Sequence, residues 1–148
     1  MNTTLAAVER HRATDALLVP AMSLAVLDAA VAGHYDLSTW QAVLASGGRA
    51  PERVWQAIHD VLGVTEITTG YGMTETGMIT SNPYRGGERV AGTVGYALPG
   101  VEVRIAEGGN GPGVLEVRGP NVFAGYWRMP EKTAEEFTKD GFFISASA

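Results

Sequence analysis

At 148 residues the chain has the length of about one domain, and its 45% hydrophobic and 18% charged composition supplies a core and lies far from that of disordered chains. A net charge of −5 argues against a nucleic-acid-backbone binder, which needs a basic face, and the lack of cysteine excludes disulfides, thiolate catalysis and cysteine-held zinc. The longest apolar stretch, Ala16 to Ala32, is broken by Pro20, Ser23 and Asp28, so no membrane span is expected; polar first residues without a secretory pattern make the cytoplasm the expected compartment.

In chain order, Thr3 or Thr4 caps a short helix running to Arg12, with Leu5 and Val8 at helical spacing. The apolar run Ala16-Leu17-Leu18-Val19, stopped by Pro20, predicts a buried strand. Met22, Leu24, Val26, Leu27, Ala30 and Val31 then recur near the helical period as a core stripe, up to Gly33 as a stop. Ala42-Val43-Leu44-Ala45 is a second apolar run, ending at Gly47-Gly48. Pro51 opens a further helix in which Val54, Ala57, Ile58, Val61 and Leu62 face one way, with Gly63 past its end. Thr65 to Thr69 is β-rich and runs into Gly70-Tyr71-Gly72. This alternation is the signature of parallel α/β units.

After Thr80 the texture changes to closely spaced glycines and alternating segments. Val101 to Ile105 and Val114 to Arg118 flank the Gly108–Gly113 turn and predict an antiparallel hairpin. Pro130 to Thr138 reads as a short amphipathic helix, and Asp140-Gly141 turns the chain into Phe142-Phe143-Ile144. The expected fold class is therefore α/β: a parallel-type α/β subdomain over residues 1–80, then a small β-rich subdomain of distorted-barrel type over 81–148. Trp40, Trp55 and Trp127 are expected in packing roles, and His11, His34 and His59 share no ligand spacing.

The chemistry gathers in Thr68-Thr69-Gly70-Tyr71-Gly72-Met73-Thr74-Glu75-Thr76-Gly77. Glycines let a backbone approach phosphate, hydroxyls donate to anionic oxygens, and a lone carboxylate can hold Mg²⁺ shared with phosphate oxygens. At the end of a parallel strand this is where α/β proteins bind ligands, and Gly47-Gly48 ends the preceding strand. Bare strand ends of this kind suit a slot for a flat ring. By themselves the residues leave other readings open: a simple turn, a core aromatic at Tyr71, and a solvated helix-start carboxylate at Glu75.

Tyr71-Gly72-Met73-Thr74-Glu75-Thr76 resembles the core motif of the adenylate-forming superfamily of acyl-CoA synthetases, luciferases and peptide-synthetase adenylation domains. Ser46-Gly47-Gly48-Arg49-Ala50-Pro51 resembles that family's upstream glycine-rich segment, and Gly113 to Trp127 its later Gly-Glu-Leu to Gly-Tyr motif. Lys132 to Phe137 and Asp140 to Phe143 resemble the segment leading to the next one. The resemblance implies an AMP-forming acid–thiol ligase with ATP, Mg²⁺ and coenzyme A as cofactors and a small carboxylic acid as substrate. It implies that Tyr71 stacks on adenine, with Gly47, Gly48 and Arg49 forming the opposite wall and Gly72 beside the nucleotide. Thr74 would reach the α-phosphate or acyl carbonyl, and Glu75 would hold the metal, these two being the catalytic residues. Gly70, Met73, Met22 and Ser23 would border the acyl pocket.

The family's phosphate loop with its lysine does not occur in this sequence, nor does the mobile C-terminal domain with its catalytic lysine; the expected ribose-binding aspartate falls at Ser147. Ser145 to Ala148 resembles an appended linker. The expectation is an excised middle portion of a synthetase, inactive alone and prone to self-association, with a non-catalytic nucleotide-binding or structural module as the alternative. Ser81-Asn82-Pro83-Tyr84 and the segment from Gly119 to Thr133 resemble malonyl-CoA synthetases, whereas Pro20 to Ala25 carries no cation for a second carboxylate, and the front half of the chain resembles ligases for fatty, aryl or other apolar acids.

Overall fold

The computed structural model describes residues 3–48, 51–90, 92–106 and 113–145. Arg49, most of the Gly108–Gly113 turn and Ser147 lie outside the described residues. The chain forms two compact units, one of Met1–Tyr71 with Ser81–Tyr96 and the other of Gly72–Thr80 with Ala97–Ala148.

In the first unit the elements alternate as α1 (Thr3–His11), β1 (Asp15–Leu18), α2 (Pro20–Ala32), β2 (Ala42–Ala45), α3 (Glu52–Leu62) and β3 (Glu66–Met73). Parallel pairing aligns Ala16 with Val43 and Val43 with Ile67, so the short apolar runs become neighbouring strands with helical crossovers, as parallel pairing demands. Leu5 and Val8 of α1, Leu18, Val26, Leu27, Val43, Val54, Ile58, Leu62 and Val64 pack into one core with Trp40. A fully buried aliphatic side chain of this kind stabilises by about 1.5–3 kcal/mol. The Trp40 indole N–H donates to the Ala42 carbonyl at 3.0 Å, so the ring enters the core without an orphaned donor.

Two sequence expectations need correction here. On α2 only Ser23, Val26 and Leu27 are buried, whereas Met22, Leu24 and Val31 are exposed. The helix is apolar around most of its circumference, so its period cannot say which face turns inward. On α3 the buried stripe is Val54, Ile58 and Leu62, with Val61 exposed; Gly63 ends the helix in the left-handed region at φ 69°. Pro20 does more than stop β1, since it occupies the first turn of α2, where its missing N–H costs nothing.

β3 runs past the expected end at Thr69 and carries Gly70, Tyr71 and Gly72 inside the strand. An unexpected strand follows, β4 (Gly77–Ser81), and then the two-residue β5 (Tyr96–Ala97); the sheet order is β1-β2-β3-β4-β5. Glycines and hydroxyls read as a turn, but the Asn82 N–H donates to the Thr69 carbonyl at 2.8 Å and the Thr68 hydroxyl to the Asn82 carbonyl at 2.9 Å.

The second unit holds β6 (Glu102–Ala106), β7 (Val114–Arg118), α4 (Pro130–Glu135) and β8 (Phe143–Ile144). β6 and β7 form the expected antiparallel hairpin, and β8 adds to β7 with Val117 opposite Phe143. Helix α4 ends before the expected Thr138 because Thr138 donates its N–H to the Phe142 carbonyl and Ile144 donates to Glu136. Phe123, Tyr126, Phe137 and Phe143 form an aromatic cluster with centroid spacings between 4.8 and 6.0 Å. Buried Phe142 lies under the guanidinium groups of Arg104 and Arg118, at 3.9 and 4.4 Å. Trp127 does not pack: it is 84% exposed, and Trp55 is only half-buried, so of the three tryptophans Trp40 alone is a core residue.

Candidate functional site

The register that pairs Ala45 with Thr69 brings the next residues of β2 and β3 side by side. The Ser46 hydroxyl donates to the Gly70 carbonyl at 3.4 Å, which sets the Gly47-Gly48 turn beside the Gly70-Tyr71 stretch. Gly47 sits at φ 77°, where a side chain is strained, and a Cβ there would also meet Val19 Cγ1 at 3.1 Å. Gly48 stands against the Pro20 ring. Thus Gly47 and Gly48, just past the carboxyl end of β2, stand beside Gly70 and Tyr71, where β3 runs on beyond its pairing with β2; Gly70 is buried and Tyr71 half-buried. Met22 is exposed on the first turn of α2. Ser23, by contrast, is 1% exposed, and its hydroxyl donates back to the Val19 carbonyl at 3.3 Å, so it is committed to the helix.

In the second unit Met73 to Gly77 form a tight turn built around buried Thr76. The Thr76 N–H donates to the Met73 carbonyl at 3.1 Å, its hydroxyl accepts the Met73 N–H at 3.3 Å and donates to the Gly77 carbonyl at 3.0 Å. A Cβ on Gly72 would lie 2.1 Å from the Gly77 carbonyl oxygen, so the turn closes only over a glycine. Thr74 is exposed on the turn, and Glu75 beside it is half-buried. Sequence reasoning passed over what holds Glu75. Its carbonyl accepts the Phe123 N–H at 2.8 Å and its Oε1 accepts the Tyr126 hydroxyl at 3.1 Å. Asn121 Nδ2 donates to the carbonyls of Thr76 and Met78 at 2.7 and 3.1 Å. Desolvation and the carboxylate it donates to both push the Tyr126 phenol above its ordinary pKa, keeping it a donor. The signal for these partners was present as the Gly113 to Trp127 motif, but nothing local says that it touches the turn.

No group of three or more His, Cys, Asp or Glu residues gathers to cage a metal among the described residues. One carboxylate with an oxygen left after Tyr126, beside an exposed hydroxyl, suits a hard cation that takes its other ligands from phosphate and water. The His59 ring meets neighbouring Asp60 at 3.0 Å on the surface.

A cavity of about 660 Å³ in the first unit, lined by Trp55, Thr68, Thr69, Asn82, Arg89 and Val90 among others, was not foreseen. Two of its polar lining residues are already paired: Arg89 with Glu66 and the Pro83 and Tyr84 carbonyls, Asn82 with Thr69 and Thr93. These bonds fasten the loop after β4, which accounts for Asn82 in the Ser81-Asn82-Pro83-Tyr84 segment.

The family model described as AMP-binding enzyme matches residues 1–127. The malonate–CoA ligase of Arabidopsis thaliana is 52% identical over 81 residues, covering 53% of this chain and 13% of that protein. The mitochondrial medium-chain acyl-CoA ligase ACSF2 of Danio rerio is 32% identical over 148 residues, covering 94% of this chain and 24% of that protein. Among solved structures, ATP-bound MatB from Rhodopseudomonas palustris has a TM-score of 0.80 at 38% identity, covering 96% of this chain and 29% of that one. A malonyl-CoA ligase in complex with methylmalonyl-CoA and AMP has a TM-score of 0.81 at 34% identity, covering 98% and 33%. The chain spans about a quarter or less of the length of these curated relatives.

Proposed function

From the premise that the chain belongs to the AMP-binding enzyme family, we propose that it supplies the adenine- and phosphate-facing residues of an ATP-dependent acid–CoA ligase. The observation that carries this reading is Glu75, whose carboxylate is held on a glycine-dependent turn by Tyr126 while one oxygen is left over. In the reaction, a carboxylate oxygen of the acid attacks the α-phosphorus of ATP and the bond to the bridging oxygen breaks, releasing pyrophosphate and leaving an acyl-adenylate. The thiol of coenzyme A then loses its proton, attacks the acyl carbon and expels AMP. Two anions must meet, so catalysis rests on positioning and charge neutralisation. Bound Mg²⁺ supplies neutralisation of phosphate charge.

Tyr71 offers its ring face to adenine, and the bare backbone of Gly47 and Gly48 lines the opposite wall. Thr74 donates its hydroxyl to the α-phosphate or the acyl carbonyl, and Glu75 holds the cation. Gly70, Met73 and Met22 border the acid, and Gly72 stands beside the nucleotide. Ser23 contributes by holding the first turn of α2. The pocket helix presents no cation at Ala21 to Ala25, which favours an apolar monocarboxylic acid over malonate, since a second carboxylate buried unpaired is costly. No described helix is long and apolar enough to cross a membrane. The cytoplasm is the compartment in this reading; the similar ACSF2 protein is mitochondrial.

Calorimetric titration of the 148-residue chain with ATP and Mg²⁺, alongside a pyrophosphate assay, tests the reading. Each charged hydrogen bond contributes about 1.5–3 kcal/mol. These 148 residues contain no phosphate-loop lysine and carry Ser147 at the expected ribose aspartate, so binding by them is expected at roughly millimolar concentration, with no pyrophosphate released. Tyr71→Ala should abolish binding, and Glu75→Ala should remove its Mg²⁺ dependence. Binding of ATP that ignores both substitutions would overturn the assignment.

A further inference from the structure

The Glu75 turn is tethered by a single stretch of chain from Asn121 to Tyr126. Asn121 fixes the carbonyls of Thr76 and Met78, the Phe123 amide fixes the Glu75 carbonyl, and the Tyr126 hydroxyl reaches the Glu75 carboxylate itself. Tyr126 is in turn held from several sides. Its N–H donates to Thr133 Oγ1 at 2.9 Å, and Phe123 stands edge-on to its ring at 4.8 Å. Gly125, at φ 140°, admits this approach, because a Cβ there would lie 2.5 Å from Thr133 Cγ2. A glycine followed by a tyrosine is thus what the geometry needs at 125 and 126.

We propose that Tyr126 is the positioning residue for Glu75: by donating to Oε1 it fixes the carboxylate so that Oε2 is offered to the divalent cation of a bound nucleoside triphosphate. The inference rests on the ATP reading given above and assigns to the Asn121–Tyr126 segment a part in it. The chemical logic lies in the kind of donor. A glutamate on a turn has several rotamers, and a single hydrogen bond at one oxygen selects among them. A phenol does so without adding positive charge, whereas lysine or arginine would neutralise the carboxylate and compete with the cation. Lys132 lies 5.2 Å over the Tyr126 ring, but its ammonium group pairs with Glu136 at 3.0 Å. Among the described residues no cation pairs with Glu75, so its charge stays available for a metal.

The test uses the whole chain with carbon-13-labelled glutamate carboxyls, reading the Glu75 signal, which is identified by its loss in Glu75→Gln. Mn²⁺ with ATP is the probe, since a bound paramagnetic ion broadens the signal of a carboxylate it touches. In Tyr126→Phe the metal-free Glu75 signal is expected to shift while the other glutamate signals hold. The Mn²⁺–ATP concentration for half-broadening should rise roughly tenfold or more, the range expected for one hydrogen bond to a charged group. If Tyr126→Phe does not fold, 3-fluorotyrosine at position 126 serves instead: its fluorine signal should move on adding Mg²⁺ and ATP in the parent chain and stay fixed in Glu75→Gln. An unchanged Glu75 signal and unchanged half-broadening in Tyr126→Phe, or a fluorine signal indifferent to Glu75→Gln, overturns the positioning role while leaving the ATP reading intact. A parent chain whose Glu75 signal is untouched by Mn²⁺ and ATP overturns the ATP reading itself, and the role of Tyr126 toward a cation with it.

Discussion

At the scale of single residues, Gly72 shows how a motif glycine is imposed by backbone rather than by ligand. The Gly77 carbonyl would lie 2.1 Å from any Cβ at position 72, and the displaced atom is main chain, which cannot swing aside. Gly72→Ala is therefore expected to destabilise the chain by about 1–3 kcal/mol, as overpacking usually does, with the urea midpoint as the measurement. Asp140 carries a different residue-level consequence. Arg104 grips it with two bonds of 2.6 and 3.1 Å, and the Thr138 hydroxyl adds a third of 2.7 Å, so its carboxyl titrates well below the ordinary value. A carboxylate whose pKa is depressed on folding adds stability that is complete above its unfolded value and is lost as pH falls through the folded one. Between about pH 5 and pH 2 the chain should lose stability more steeply than Asp140→Asn does, and unfolding curves at stepped pH read the difference. Equal slopes would show that the exposed ion pair contributes nothing.

At the scale of elements, α2 is the helix whose roles are most divided. Ser23, Val26 and Leu27 anchor it to the core, while Met22, Leu24 and Val31 stay exposed on its other faces. Its first turn, from Pro20 to Leu24, follows β1 directly and contains no charged side chain. A medium-chain monocarboxylate should therefore give stronger saturation-transfer signals than malonate with this chain, and Met22→Arg should reverse the order. Stronger signals from malonate in the parent chain would count against an apolar pocket. The hairpin β3–β4 is the element that sequence periodicity concealed. Its threonines and glycines suggest a loop, yet buried Thr68 and Thr76 spend their hydroxyls on main-chain carbonyls and so sit inside the fold as strand and turn residues.

At the scale of the whole molecule, Leu17 of β1 and Leu24 and Val31 of α2 are exposed, and β1 ends the sheet order. An edge strand beside apolar side chains is a template for pairing with another chain. Self-association that rises with concentration is expected in sedimentation velocity, and Leu17→Lys with Val31→Lys should reduce it; a monomer at every concentration would refute this. What the sequence determined by itself was local. Apolar runs of four residues between helical stripes gave β1 and β2, Pro51 and Gly63 bracketed α3, and alternating residues about a glycine-rich turn gave the β6–β7 hairpin, because propensity and turn chemistry act over a few residues. The Gly47-Gly48 and Gly70-Tyr71 segments were likewise legible as neighbours, because each follows an apolar or β-rich run and those runs pair as β2 and β3. Only the tertiary structure decided which face of α2 is buried, that Ser23 is bonded inward, that Trp127 is exposed, and that Tyr126 reaches back to Glu75 across 51 residues of chain. Those outcomes depend on which surfaces meet once the chain is folded, and no local period or spacing encodes that.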